Sequence, residues 1–462
     1  NQNGQRDAAF EYQFQHKFNR FANFSQTFRW EQSRQISKGD FWNNSVTTES
    51  ASIIPTIQKN AYTSASLDTR FHGTFSLGAV QNTWIVGSDF RDYHNYQPWI
   101  QDYTSLTGVL INVYNPNPKY TPCFSSLPAA QCTGQSLRSW NSYFQEGIYF
   151  QDQIKWRKLS VIIGGRQDWV NYNSKQNNYT YENIGALHLG IPSNKRTYPQ
   201  PQNAFTWRGG ILYSFNFGLT PYFSYSTSFV PQSATDWQGR PFAPLTGKQL
   251  EAGLKYKVPN QDILLTASAF RIDENHYLIT DTVHTGYSAD VGRVRSQGFE
   301  LSVNANITKN LRAIASYSYT DIRYAKTNLT AKRYDPYTNV YYGAAISESN
   351  MSVPYVPRNM FSIFLDYSFH KSRLRGVGVN GGVRYVGFTY IDNVESFKTP
   401  AYALFDIGAH YNFGETFPML KGLRAQLAIS NLANKYYVTN CSDYNCYLGQ
   451  GRRIYGNLTY SW

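Results

Sequence analysis

The chain closes on Gly451-Arg-Arg-Ile-Tyr-Gly-Asn-Leu-Thr-Tyr-Ser-Trp462, and the reading of the fold starts from that stretch. Ile454, Leu458, Tyr460 and Trp462 fall on one side of an extended strand; Arg453, Tyr455, Asn457, Thr459 and Ser461 fall on the other. A period of two over this length suits a tilted strand that crosses a bilayer. The stretch ends on an aromatic residue, as a strand does when it stops at an interfacial girdle. Taken alone, it also fits the last strand of a soluble sandwich. The rest of the chain separates the two.

The chain has 38 Tyr, 29 Phe and 10 Trp among 462 residues, and only 16% of it is charged. No run of about 18 apolar residues occurs, so no transmembrane helix is expected. A soluble chain of this length usually divides into domains, yet no Pro/Ser-rich spacer or charge block marks a boundary. Many aromatics and few charges fit a sheet that meets lipid on one side and water on the other. The formal net charge is +13. Lys and Arg are scattered among strands rather than gathered on one face, so nucleic acid is not the expected partner. Anionic outer-leaflet lipid and anionic or polar ligands are. No signal peptide stands at the start, and Asn1 to Asp7 read as loop.

The four Cys form two close pairs in polar segments, Cys123 with Cys132 and Cys441 with Cys446. Such spacing predicts two local disulfides and an oxidising compartment. A metal site is the alternative, but no His lies within ligand spacing of either pair.

Alternating segments recur from end to end, joined by short turns and long polar connections in alternation. Ala8 to Asn19 and Asn23 to Ile36 flank a brief turn. A long loop from Ser37 to about Thr56 carries Phe41 and Trp42. Ile57 to Arg70 turns at His72-Gly73. Thr83 to Tyr96 runs into the longest loop, about Gln97 to Trp140, with Trp99, Tyr103 and the first cysteine pair. Ser142 to Trp156 and Leu159 to Tyr172 turn at Arg157-Lys158. Further hairpins turn at Asn216 to Leu219, at Pro259-Asn260 and at Thr308 to Asn310. Short turns on one side and long loops on the other is the asymmetry of outer-membrane barrels, with the long loops outside. The count is roughly 17 strands, whereas bacterial single-chain barrels normally have even numbers. An open sheet in lipid would leave unpaired backbone groups. The expectation is therefore the C-terminal part of a larger all-β transmembrane barrel.

Enzymatic chemistry finds no support. The eight His are dispersed, and no HExxH, GxSxG or Walker-type loop occurs. A passive diffusion porin of about 16 to 18 strands would satisfy the strand count alone.

The residues Phe205-Thr-Trp-Arg-Gly-Gly210, Thr220-Pro-Tyr-Phe-Ser-Tyr-Ser-Thr-Ser-Phe229 and Phe242-Ala-Pro-Leu-Thr-Gly-Lys-Gln-Leu-Glu-Ala-Gly-Leu-Lys-Tyr256 narrow the choice. Gly164-Gly-Arg-Gln-Asp-Trp169, Gly298-Phe-Glu300, Asn431-Leu-Ala-Asn-Lys-Tyr436 and the Cys441/Cys446 loop add to them. Each is weak singly, but together and in this order the chain resembles the TonB-dependent siderophore receptors, the ferrichrome (ferric hydroxamate) branch above all. The resemblance implies a barrel of about 22 strands closed by an N-terminal plug. Residues 1–462 would be its C-terminal part, with the plug, the TonB box and about five strands ahead of it. It implies active import of ferric siderophores across the outer membrane of a Gram-negative bacterium, energised by TonB-ExbB-ExbD. Lipopolysaccharide, phage and bacteriocins are further implied partners. No cofactor is expected: the iron arrives already coordinated by its siderophore. The receptor then supplies aromatic walls and hydrogen-bond donors. An ungapped match through Phe14-Gln-His-Lys-Phe18 aligns Phe41 with a ligand-facing aromatic of the family, and Trp99 lies beside another. Trp42 and Tyr103 neighbour them. After Cys441 the family's aromatic is replaced by Ser442, and Tyr444 or Tyr447 could compensate.

Overall fold

Alternation builds the strands of this protein, and residues that tolerate a left-handed backbone close them. The computed structural model describes residues 2–19, 21–45, 50–102, 109–112, 114–115, 134–181, 192–281, 284, 287–338, 340–371, 373–442 and 446–462. Two compact units emerge. The first holds Asn1–Asp152, Gly164–Thr206 and Pro231–Pro244; the second holds Gln153–Ile163, Trp207–Val230 and Leu245–Trp462.

In the first unit, Gln2–Lys17, Asn23–Ser45, Ser50–Leu77 and Val80–Asp102 pair in succession, all antiparallel. The short Val109–Asn112 lies against the start of Ser50–Leu77. Gly134–Trp156, Leu159–Tyr181 and Pro192–Tyr213 contribute residues to both units. In the second unit the strands pair in chain order from Leu219–Val230 through Leu245–Lys257, Asp262–Asn275, Arg293–Asn306 and Leu311–Lys326. Asn359–Ser368, Val377–Val386, Tyr402–Asn412, Leu423–Ser430 and Arg453–Tyr460 continue the ladder. Eighteen described strands belong to main-sheet ladders. Apart from the four-residue Val109–Asn112, they are the long strands the alternation predicts. Among the described residues no helix is long and apolar enough to cross a membrane.

Several boundaries differ from expectation. Gln2 already begins a strand, and the segments expected as loops around Phe41 and Trp99 are ladder. Phe41 stands opposite Ile54, and Trp42 opposite Ile53. The strands there run 23 to 28 residues, well beyond the roughly 9–11 that cross a bilayer. Their outer ends carry Ile53, Ile54, Thr56 and Ile57, residues that favour strand, so pairing continues past the membrane. The turn expected at His72-Gly73 falls at Gly78-Ala79 instead. Gly78 takes φ +60 there, a conformation open to Gly at little cost. Ahead of the turn at Thr308 to Asn310 the chain forms two strands, Ser288–Asp290 and Arg293–Asn306. The turns at Arg157 and at Asn260 fall where expected, each at φ above 50° (53 and 58).

The two faces are inverted relative to a water-soluble sheet. Along Leu245–Lys257, Leu250 and Leu254 are 44% and 48% exposed, while Gln249 and Glu251 on either side of Leu250 are half-buried. In the first unit Phe10, Phe14, Phe71, Val86, Phe144 and Ile148 are all exposed, while Ser25, Ser33, Ser64 and Asp168 are buried. Each large apolar side chain left in water costs about 1.5–3 kcal/mol. A belt of this extent requires lipid around it.

Candidate functional site

The polar face of the first unit carries a connected set of side chains. Strict alternation puts Asp89, Arg91, Tyr93 and Asn95 on one side of Val80–Asp102, and Tyr143, Gln145, Gly147 and Tyr149 on one side of Gly134–Trp156. Arg166 sits at the centre. Its guanidinium forks onto Asp89 with contacts of 2.6 and 2.8 Å and onto Asp168 at 2.8 and 2.7 Å. Gln145 donates to Asp168 at 2.8 Å, and the Tyr149 hydroxyl donates to Asp68 at 2.7 Å. A Cβ on Gly147 would stand 2.0 Å from the Arg166 guanidinium, so the fork occupies space that a side chain at 147 would take, and the guanidinium would have to shift to admit one.

Further from the Gly78 turn, toward the long connections, the same face becomes aromatic and amide-rich. The rings of Tyr62 and Tyr93 stack at 5.9 Å, and those of Tyr93 and Tyr143 lie 5.3 Å apart. The Arg91 guanidinium lies over Tyr93 and Tyr143 at 5.9 and 5.5 Å. Asn95 donates to Asn60 Oδ1 at 3.0 Å and to the Tyr93 hydroxyl at 2.9 Å, while its own Oδ1 is buried without a hydrogen-bond partner. Asn141 Oδ1 accepts from Tyr172 at 3.2 Å and Ser174 at 2.6 Å. This shelf can stack against a ligand, donate to it and accept from it, and it offers no nucleophile beside a base.

Of the residues singled out from sequence, Trp99 is half-buried and in register with Gln58, and it shares the strand parity of Tyr93 and Asn95. Phe41 and Trp42 have paired backbones, but their side chains lie outside those described. Tyr103, Tyr444, Cys123 and Cys132 lie outside the described residues. Tyr447 is 61% exposed and pairs with Asn440. Cys441 and Cys446 form the expected disulfide. The tyrosine shelf lies on strands rather than loops, and the alternation of Tyr93 with Asn95 and of Asn141 with Tyr143 is its only mark in the sequence.

The opposite face of the first unit, above its apolar belt, is basic. Arg6 stands directly across from Arg34 in the ladder. A cleft of about 380 Å³ among these strands is lined by Arg34, Thr63, His94, Tyr96 and Trp140, and also by Tyr62, Asn95 and Asn141 of the shelf. Tyr96 stacks on Trp140 at 5.2 Å, and Lys175 Nζ lies 5.7 Å from the Trp140 ring centroid.

In the second unit Asn431 anchors the connection before the last strand. It is buried, with φ +52. Its Nδ2 donates to the Lys435 and Gln450 carbonyls at 2.9 and 3.1 Å, and its Oδ1 accepts from Lys435 N at 2.8 Å. Its own N–H donates to Asp406, which also receives Arg384. The Asn431 to Tyr436 motif is thus a clamp on the connection that carries the disulfide.

An all-antiparallel ladder with a lipid-exposed apolar face and a sheltered polar face defines a β-barrel protein of the outer membrane. The sequence matches the family model described as "TonB dependent receptor-like, beta-barrel" over residues 1–432, and the chain belongs to that family. It is similar to the ferrichrome outer membrane transporter/phage receptor of Escherichia coli (strain K12), with 31% identity over 397 residues, 86% of this chain and 48% of that protein. It is also similar to the ferrioxamine B receptor of Salmonella typhimurium (strain SL1344), with 30% identity over 86% of this chain and 50% of that one. The chain therefore spans about half the length of these curated relatives. Among solved structures, the siderophore receptor PiuA from Acinetobacter baumannii has the same fold at a TM-score of 0.77 and 18% identity, over 99% of this chain and 64% of that one.

Proposed function

We propose that this chain is the barrel of a receptor that imports ferric siderophores across the outer membrane, ferric hydroxamates above all, driven through TonB. The observation that carries the reading is the shelf of Tyr62, Tyr93 and Tyr143 with Asn60, Asn95 and Asn141. In a barrel, the face opposite the apolar belt lines the lumen. A ferric hydroxamate presents an apolar and amide periphery, which stacks on tyrosine and bonds to carboxamides. Iron enters as cargo wrapped by its chelator, so the protein need supply no ligand to the iron itself. Phe41, Trp42, Trp99 and Tyr103 would extend the aromatic character of the first unit toward the ligand, and Tyr444 and Tyr447 are the aromatics the second unit would offer it.

TonB, ExbB and ExbD would act through the plug that the family resemblance places ahead of residue 1. Lipopolysaccharide phosphates would meet Arg6, Arg34, His94 and Lys175 beside Tyr96 and Trp140, an aromatic and basic pairing suited to an anionic headgroup. Phage use, named for the Escherichia coli relative, is a secondary role consistent with an exposed outer surface.

Uptake of radioactive iron by cells with and without the full-length gene tests the proposal, with the iron supplied as a ferric hydroxamate or a ferric catecholate and with or without an uncoupler. Gene-dependent, uncoupler-sensitive uptake of the hydroxamate is expected. Tyr93→Ala should raise its half-saturation by about tenfold. Uptake of the catecholate alone would overturn the ligand class. Steady conductance of the intact protein in a planar bilayer, without iron uptake, would make it a porin.

A further inference from the structure

Two of the short-side connections in the second unit are unlike the rest. Arg157-Lys158 and Pro259-Asn260 reverse the chain tightly, but the connections at 369–376, after Asn359–Ser368, and at 413–422, after Tyr402–Asn412, are far longer. Val377–Val386 pairs with Tyr402–Asn412, which sets the two side by side. They are also bonded to each other. The Thr416 hydroxyl donates to the Arg375 carbonyl at 2.8 Å, Asn412 N donates to the Gly376 carbonyl at 2.8 Å, and His370 lies 3.9 Å from Glu415. Two 3-10 turns, Phe413–Glu415 and Pro418–Leu420, stiffen the second connection. The end of the last strand joins them, with Ser461 N donating to the Gly422 carbonyl at 2.9 Å. Together they form one built surface.

Its composition is not that of a solvated turn. Leu374, Phe417, Met419 and Leu420 are 49%, 52%, 97% and 40% exposed. Lys371, Arg373, Arg375 and Lys421 stand among them, all exposed, and among the described residues none of the four has an ion-pair partner. Glu415 is the single acid in either connection, and it faces His370. The lipid-facing belt runs into this surface: Phe405, Ile407, Leu427 and Leu458 are exposed on one face of the strands that bear it. Tyr367 with Phe369, Tyr411 with Phe413 and Tyr460 with Trp462 pair their rings at 4.9, 4.6 and 6.4 Å where those strands end, as aromatics do at a membrane interface. In outer-membrane barrels the short turns face the periplasm. We propose that this surface docks on the periplasmic leaflet and selects anionic phospholipid. Lys371, Arg373, Arg375 and Lys421 reach the headgroup phosphates, while Leu374, Phe417 and Met419 enter the boundary with the acyl chains. Continuity with the belt favours lipid over a protein partner as the occupant. The site stands whichever chelate the receptor carries.

The test uses the full-length receptor in detergent, titrated with phosphatidylglycerol or phosphatidylcholine and read by native mass spectrometry. Phosphatidylglycerol should be held at least about tenfold more tightly. Arg375→Gln should weaken it by about fivefold, and Lys371→Gln, Arg373→Gln, Arg375→Gln and Lys421→Gln combined by at least about a hundredfold. Phe417→Ser with Met419→Ser should weaken both lipids alike. Lys332→Gln, in the hairpin of Thr330–Asp335 with Val340–Ser347, should change neither. Glycerol 3-phosphate, which lacks acyl chains, should not compete. Heat-modifiable gel mobility reports that each variant is folded. Equal retention of the two lipids by wild type would overturn the site. So would a folded fourfold variant that holds phosphatidylglycerol as wild type does, which would leave the surface to a protein partner. Full competition by glycerol 3-phosphate would also overturn it, reducing the surface to a site for free anions.

Discussion

The two compact units end their strands in different ways. In the first, Asn23–Ser45 and Ser50–Leu77 simply keep pairing beyond the membrane, and order comes from backbone ladder and alternating side chains. In the second, shorter strands give way to a packed layer with its own apolar core: Val291, Val294 and Tyr324, flanked by Tyr277, Ile279, Met351 and Val353. Small hairpins such as Thr330–Asp335 with Val340–Ser347 belong to that layer. A ladder extends by repeating one local rule. A packed layer needs distant residues to arrive together, and it fails as a unit when one of them is removed.

Tyr324 tests that difference most severely. It is 2% exposed within the core cluster, so Tyr324→Ala should cost about 3–5 kcal/mol locally. Hydrogen exchange should accelerate at Val291, Met351 and Val353, while protection along Gly298 to Ser302 in the strand is kept. Faster exchange along the whole strand would show that layer and ladder are one cooperative unit.

That asymmetry also governs what could be read from the sequence. The strands of the first unit follow from period two, and the inverted faces follow from the same alternation once lipid is the solvent. Phe41 and Trp99 were expected in loops because polar residues there read as connection, although a strand outside the membrane is polar on both faces. Nothing local marks Glu348 as a buried acid: Asn393, whose side chain hydrogen-bonds it, comes from a segment far along the chain. Asn431 stands in the sequence only as part of a motif, and its role as a left-handed clamp follows from the structure. The Arg166 fork had a signal in the alternation of Arg166 and Asp168, but its third member, Asp89, comes from another strand.

Arg166→Ala tests the first unit alone. It strips the ion-pair partner from Asp89 and from Asp168, which keeps Gln145; their side chains are 30% and 6% exposed. The expected loss is about 2 kcal/mol, discounted for partial exposure and read as a lower guanidinium midpoint for the folded barrel in detergent. Arg166→Lys should recover only part of it, because an ammonium cannot fork onto two carboxylates. Full recovery by Lys would reduce the fork to simple charge balance.

The smallest effect is one of pH, and it belongs to the packed layer. Burial, and then the charge of Asp392, raise the Glu348 carboxyl above its ordinary range, against a hydrogen bond from Asn393 that lowers it. A carboxyl with a raised folded value binds its proton more tightly in the native state. Stability therefore falls as pH rises from the ordinary value near 4.5 to the raised one, and stays lower above it. Hydrogen exchange at Met351 should slow as pH is lowered through that window, after correction for intrinsic exchange rates. Glu348→Gln should flatten the trend; a trend that persists in that variant would assign it to another group.

The Cys441–Cys446 bridge spans a sequence separation of only 5. Closing so short a loop removes about 2 kcal/mol of unfolded-chain entropy, against nearly 5 for a loop of about 100 residues. Chain closure over such a distance takes well under a microsecond. The bond can therefore form as soon as the segment meets an oxidant, with no need for a finished barrel to bring its partners together. Biogenesis gains from this order of events: the crosslink is made within a flexible precursor, pins nothing distant, and leaves every strand free to find its neighbour during insertion.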